Sequence, residues 1–147
     1  MNETTLTITG NLAADPELRF TQSGAAVANF TVISTPRRYD RTTGQWSDGE
    51  PISIRCNLWR APAENAAESL KRGSRVIVTG RLRSRQWETR DGDKRISLEL
   101  EVDDIGASLK FATVAISKAA RSSVDTSVSS NTGNPTDGGQ FDDEPPF

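Results

Sequence analysis

From residue 52 to residue 59 every second position is apolar. Ile52, Ile54, Cys56 and Leu58 share one parity, and Ser53, Arg55, Asn57 and Trp59 share the other. Strand side chains point to opposite faces with period two, so the stretch reads as a strand with its apolar set turned inward. The alternation recurs along the chain. Leu6 and Ile8 alternate with Thr5, Thr7 and Thr9 up to Gly10, and a run over 26–35, rich in Val, Phe, Thr and Ile, closes at Pro36. Two long strands are expected over about 75–90 and 95–105, joined around Asp91-Gly92-Asp93. A final alternating piece, 111–116, reads as an optional extra strand.

Shorter signals fill the gaps. Asp15-Pro16 marks a bend before a brief extended piece ending at Phe20, and Thr43-Gly44 forms a hairpin tip flanked by Tyr39 and Trp46. One segment reads as a helix. Pro62 suits its first turn, Glu64 lies near the positive end of the dipole, and Gly73 supplies a left-handed stop. Ala63, Ala66, Ala67 and Leu70 form its apolar stripe, with Lys71 and Arg72 at its C-terminal end. Three strands, a helix and two long strands fit an all-β, five-stranded Greek-key barrel, the OB-fold, with a helix between strands three and four. A β-sandwich competes but gives the helix no place.

Chemistry is restricted by what is missing. The chain has no histidine and one cysteine, Cys56, so a Ser-His-Asp triad, a Cys-His pair and a zinc ribbon cannot be built. No Gly-rich phosphate loop ending in Lys-Ser/Thr occurs. An enzyme, a metal site and a cofactor are therefore not expected. A lone cysteine and the lack of a long apolar run or signal-like N-terminus lead to the expectation of a cytoplasmic chain without a membrane span.

A formal charge of -2 conceals a division. Through Arg121, 18 cations stand against 15 acids, giving +3; beyond it, no cation stands against five acids, giving -5. Ser, Thr, Asn, Gly and Pro supply 16 of the last 26 residues. Such a segment cannot bury enough surface to offset its ordering entropy. The expected organisation is a folded body over 1–121 and a disordered acidic tail over 122–147.

The outward parities carry the candidate site. Arg55, Asn57 and Trp59 share one face, and Arg81, Arg83, Arg85 and Trp87 share another. Cations neutralise phosphates and flat rings stack on unpaired bases, so this pairing suits single-stranded nucleic acid. Duplex readout needs a helix or ribbon fitted to a groove, and the alanine-rich helix lacks the side chains. The alternative is that the arginines are bridged to Glu99, Glu101 and Asp103 on the next strand. A two-residue turn would set Arg85 opposite Leu98 and mix the faces. A three-residue tip over 91–93 sets Arg85 opposite Glu99, Arg83 opposite Glu101 and Arg81 opposite Asp103, and is the register expected here. Trp46 is either a further stacking ring or a cap on the barrel end. Phe30 reads as core, and Phe20 is left open.

Several motifs in order resemble the bacterial single-stranded DNA-binding proteins. They are Gly10-Asn11-Leu12, Asp15-Pro16-Glu17-Leu18-Arg19-Phe20, the run 24–30 (GAAVANF), the run 67–76 (AESLKRGSRV) and the run 80–87 (GRLRSRQW). The tip, Asp142-Asp143-Glu144-Pro145-Pro146-Phe147, completes the set. The runs 35–41 (TPRRYDR) and 108–113 (SLKFAT) are most similar to the actinobacterial branch. The resemblance implies a homotetramer of OB-folds that wraps single-stranded DNA without sequence preference and serves replication, recombination and repair in the cytoplasm, in association with the nucleoid. It places stacking rings on Tyr39, Trp59 and Trp87, and basic contacts on Arg55, Arg72 and Arg85. It also implies that the tip docks replication and repair proteins and that 111–116 clamps a neighbouring subunit. One position departs: Ser53 stands where the family has an aromatic. An RNA-binding OB-fold module and a purely scaffolding oligomer are the other readings. RNA would be told apart only by contact to its 2′-hydroxyl.

Overall fold

The computed structural model describes residues 2–119. Its strands are β1 (Thr5–Leu12), β2 (Glu17–Phe20), β3 (Ala26–Ser34), β4 (Arg37–Asp40), β5 (Gln45–Asp48), β6 (Ile52–Trp59), β7 (Arg75–Glu88) and β8 (Lys94–Ala107). One helix, α1 (Ala61–Ser69), separates β6 from β7. The main sheet runs β1-β7-β8-β6-β3-β2, and β1 also pairs with β3 through Asn11–Ile33 and Leu12–Val32. That second pairing closes β1, β7, β8, β6 and β3 into a five-stranded barrel, with β2 laid along β3. The architecture is the expected OB-fold.

Two glycines permit the closure. A Cβ on Gly10 would overlap the Ile33 carbonyl where β1 crosses onto β3, and one on Gly80 would overlap the Glu101 carbonyl. At Thr79/Gly80 the β7–β8 register shifts by a bulge, which bends the long hairpin so that it serves both barrel wall and projecting arm. Val32, Cys56, Val76, Val78 and Leu100 are the largest fully buried side chains, with Phe30 beside them in the core as its parity required. Ala63 and Ala66 seat α1 on the barrel end. Burial holds the Cys56 thiol neutral by pushing its pKa to about 12.

The structure corrects five details. The β7–β8 turn spans five residues rather than three, so Arg85 stands opposite Ser97, Arg83 opposite Glu99 and Arg81 opposite Glu101. An odd-length turn preserves the faces, but the Cα partners move two residues along β8. Thr89 closes the longer turn: its carbonyl accepts from Gly92 and its hydroxyl from Asp93. Leu98 and Ile52 are exposed despite apolar parity, because the ends of β8 and β6 run past the barrel layer. The helix stops at Ser69, with Leu70 already extended, so Lys71 and Arg72 lie in the following turn rather than in its last turn. Gly73, at φ 88°, provides the left-handed step within that turn. Residues 111–116 form no strand; Arg75 lies 5.4 Å from the Phe111 ring centroid.

Candidate nucleic-acid interface

Register places one continuous outer face across four strands. Val27, Asn29 and Thr31 of β3 stand opposite Trp59, Asn57 and Arg55 of β6. Arg55 and Asn57 stand opposite Glu99 and Glu101 of β8, which stand opposite Arg83 and Arg81 of β7. Arg85 and Trp87 continue that row along the hairpin arm, opposite Ser97 and Arg95. Directly opposed residues share a face, so the two outward parities read from β6 and β7 become one surface.

A hydrogen-bonded carboxylate rail underlies it. Asn29 donates to the Asn57 Oδ1 at 2.6 Å, and Asn57 donates to Glu99 Oε1 at 3.0 Å and Glu101 Oε1 at 3.3 Å. The Trp59 indole N–H donates to Glu101 Oε2 at 3.3 Å. Arg85 donates to Glu99 Oε2 at 3.2 Å. Glu99 is buried, yet the bond from Asn57 and, after the opposing effect of burial, the bond and charge of Arg85 and the charge of Arg55 hold its carboxyl below the ordinary range. It is thus ionised at neutral pH, which a buried carboxylate sustains only with such partners.

The arginines differ in availability. Arg81 is bound to Asp103 at 3.1 Å and faces Glu3 at 3.8 Å; Arg83 is bound to Glu3 at 3.3 Å. Arg85 is tethered to Glu99 but keeps 63% of its side chain exposed. The Arg55 guanidinium has no ion-pair partner among the described residues. Two open grooves, of about 450 and 480 Å³, share Arg55, Arg85 and Glu99; Trp59 lines one and Trp87 the other. Both indoles are exposed, at 41% and 49%. A path therefore runs from ring to arginine pair to ring.

The remaining expected residues sit apart from this path. Tyr39 and Trp46 face each other across the separate β4–β5 hairpin, with ring centroids 5.2 Å apart and planes tilted by 54°. Both are exposed, so Trp46 does not cap the barrel. Arg72 lies in the turn after α1, where its backbone N–H donates to Asp15, and lines neither groove. Ser53 is exposed and leaves its stretch of the face without a ring. The tip, Asp142, Asp143, Glu144, Pro145, Pro146 and Phe147, lies outside the described residues.

Phe20 is left open by the sequence, and Glu99 and Glu101, expected as partners of the arginines, also accept from Asn57 and Trp59. Phe20 is 61% exposed and lines the Trp59 groove with Arg19. It shares the parity of half-buried Leu18 but ends β2 where the barrel layer stops.

Residues 1–108 match the model of the Single-strand binding protein family. The single-stranded DNA-binding protein of Mycobacterium tuberculosis is 57% identical over 161 aligned positions, covering 99% of this chain and 98% of that one. That of Mycolicibacterium smegmatis is 66% identical over 120, covering 82% and 73%. The crystal structure of a small single-stranded DNA-binding protein from Streptomyces coelicolor superposes with a TM-score of 0.65 at 34% identity, covering 74% of this chain and 97% of that one. The chain belongs to the single-strand binding protein family.

Proposed function

We propose that this chain binds single-stranded DNA without reading its sequence. The observation that carries the reading is the path of Trp59, Arg55, Arg85 and Trp87 over two connected grooves. Exposed indoles supply stacking that every base satisfies, and the guanidinium groups between them supply phosphate contacts. Tyr39 and Trp46 extend the aromatic surface on their hairpin, and Arg72 and Arg83 add outlying cations. The binding is non-catalytic, and no cofactor takes part.

The finer roles belong to the same proposal. The body, 1–121, protects single strands during replication, recombination and repair in the cytoplasm, and the tail, 122–147, recruits the proteins of those processes. Its tip offers Phe147 and a terminal carboxylate to an apolar pocket rimmed by cations, with Asp142, Asp143 and Glu144 steering the encounter. Assembly as a homotetramer is supported by exposed Ile77, Leu109, Phe111 and Val114, which a lone body leaves in water. Titration of the chain with oligo-dT under intrinsic fluorescence, with mass measured in solution, tests the reading. Stacking quenches tryptophan emission. An unchanged spectrum with no mass change on adding oligo-dT would refute it.

A further inference from the structure

Among the described residues five have positive φ, and four of them are glycines: Gly24, Gly44, Gly73 and Gly92. The fifth is Arg60. Its φ of 68° with ψ of -146° falls in a region that glycine occupies almost alone, because a Cβ crowds the backbone there. The backbone is pinned on both sides. Its N–H donates to the Ala26 carbonyl at 2.7 Å, while its own carbonyl accepts from Ala63 at 2.8 Å and starts α1. The fold therefore dictates this conformation, and a glycine would adopt it with less strain.

What the arginine side chain offers in exchange is visible from its place. Period two from Ile54, Cys56 and Leu58 would turn residue 60 inward, yet Arg60 is exposed, and its guanidinium has no ion-pair partner among the described residues. It follows Trp59 directly. Ala26, which takes its N–H, stands opposite Phe20 in the β2–β3 ladder, so the Arg60 backbone lies next to the groove that Trp59 and Phe20 line, although Arg60 itself is not one of its lining residues.

We infer that Arg60 is a further phosphate-contacting residue of the single-strand path, kept in a glycine conformation because its charge serves the ligand. The inference rests on the single-stranded DNA reading above. A strand with a base stacked on Trp59 carries its backbone past the end of β6, where a free guanidinium neutralises one phosphate.

Stability and binding of Arg60→Gly should then move in opposite directions. The variant melts about 2–5 °C higher in the full-length protein, from relief of backbone strain. Its oligo-dT affinity at 0.1 M salt falls about fivefold, the loss of one phosphate contact at a slope of 0.7 per decade of salt, and the difference closes by about 1 M. Arg60→Lys retains the slope, and Arg60→Ala loses it without a rise in melting temperature. Wild-type affinity and salt slope in Arg60→Gly would overturn the contact, and an unraised melting temperature would overturn the strain argument. No oligo-dT binding by the wild-type chain would instead overturn the parent reading, and the inference with it.

Discussion

Glu99 is a carboxylate built into a face proposed to receive phosphates, and its replacement by Gln has a calculable consequence. Its side chain is 11% exposed and holds Arg85 at 3.2 Å. A phosphate oxygen taken by Arg85 would lie roughly 6 Å from that carboxylate, one hydrogen-bond length beyond the guanidinium. Like charges at that distance repel by about 0.7 kcal/mol at the permittivity of water and by about twice that at half of it. Glu99→Gln removes the repulsion and frees Arg85. Oligo-dT affinity at low salt should rise about three- to tenfold, and the salt slope should steepen, by at most about 0.7, as Arg85 is no longer shared between Glu99 and the phosphate.

The amide still accepts from Asn57, so the rail persists, and the stability cost stays near 0.5–1.5 kcal/mol. That cost depends on pH with a determined sign. The carboxyl lies below its ordinary value of 4.5 in the fold. Its stabilisation is complete above the unfolded pKa and is lost as pH falls through the lower, folded one. The gap in melting temperature between wild type and Glu99→Gln should thus be constant at neutral pH and close below about pH 4. Fluorescence titration across a salt series measures the affinities. Equal affinity and slope in the two proteins would show that Arg85 is not on the path of the DNA.

Three further outcomes follow from the same surface. Trp59→Ala should weaken oligo-dT binding by about 1–3 kcal/mol in a fluorescence-polarisation titration, with the circular dichroism spectrum unchanged; full affinity would detach that groove from the ligand. Arg55→Ala should make the salt slope shallower by about 0.7, whereas Arg81→Ala, already bound to Asp103 and facing Glu3, should leave it nearly unchanged. Phe147→Ala should abolish pull-down of replication and repair proteins and leave oligo-dT affinity intact, because it removes no charge; undiminished recovery would refute the role of the tip.

Parity was legible in the sequence because it is local: Arg55, Asn57 and Trp59 had to share a face once Cys56 and Leu58 were inside. The barrel was legible for the same reason, since strand order and a single helix left few ways to close. Lateral pairing was less so. It depends on turn length, and nothing in Asp91-Gly92-Asp93 announced that Thr89 would close a five-residue turn. Even so, the expected bridges Arg85–Glu99 and Arg81–Asp103 form, as diagonal contacts, because an arginine side chain spans the two-residue offset. Layer ends were not legible at all: Phe20, Ile52 and Leu98 carry core parity, but burial needs a covering element that periodicity cannot supply.

That distinction bears on how the face works. The sequence counts +3 for the body, a weak net attraction for a polyanion. On the folded surface most of the β7 arginines are already matched by Glu3, Glu99 and Asp103, and Arg19 by Glu17, so among the groove-lining cations the field is set mainly by Arg55 and the exposed part of Arg85. Few phosphates per body are then neutralised, and the rings must supply the larger share of the affinity. Binding by one body should accordingly retain much of its strength at a salt concentration that would release a purely electrostatic ligand. The carboxylate rail favours the same end: its bond to the Trp59 indole and its tether on Arg85 hold ring and cation in fixed relation before a strand arrives.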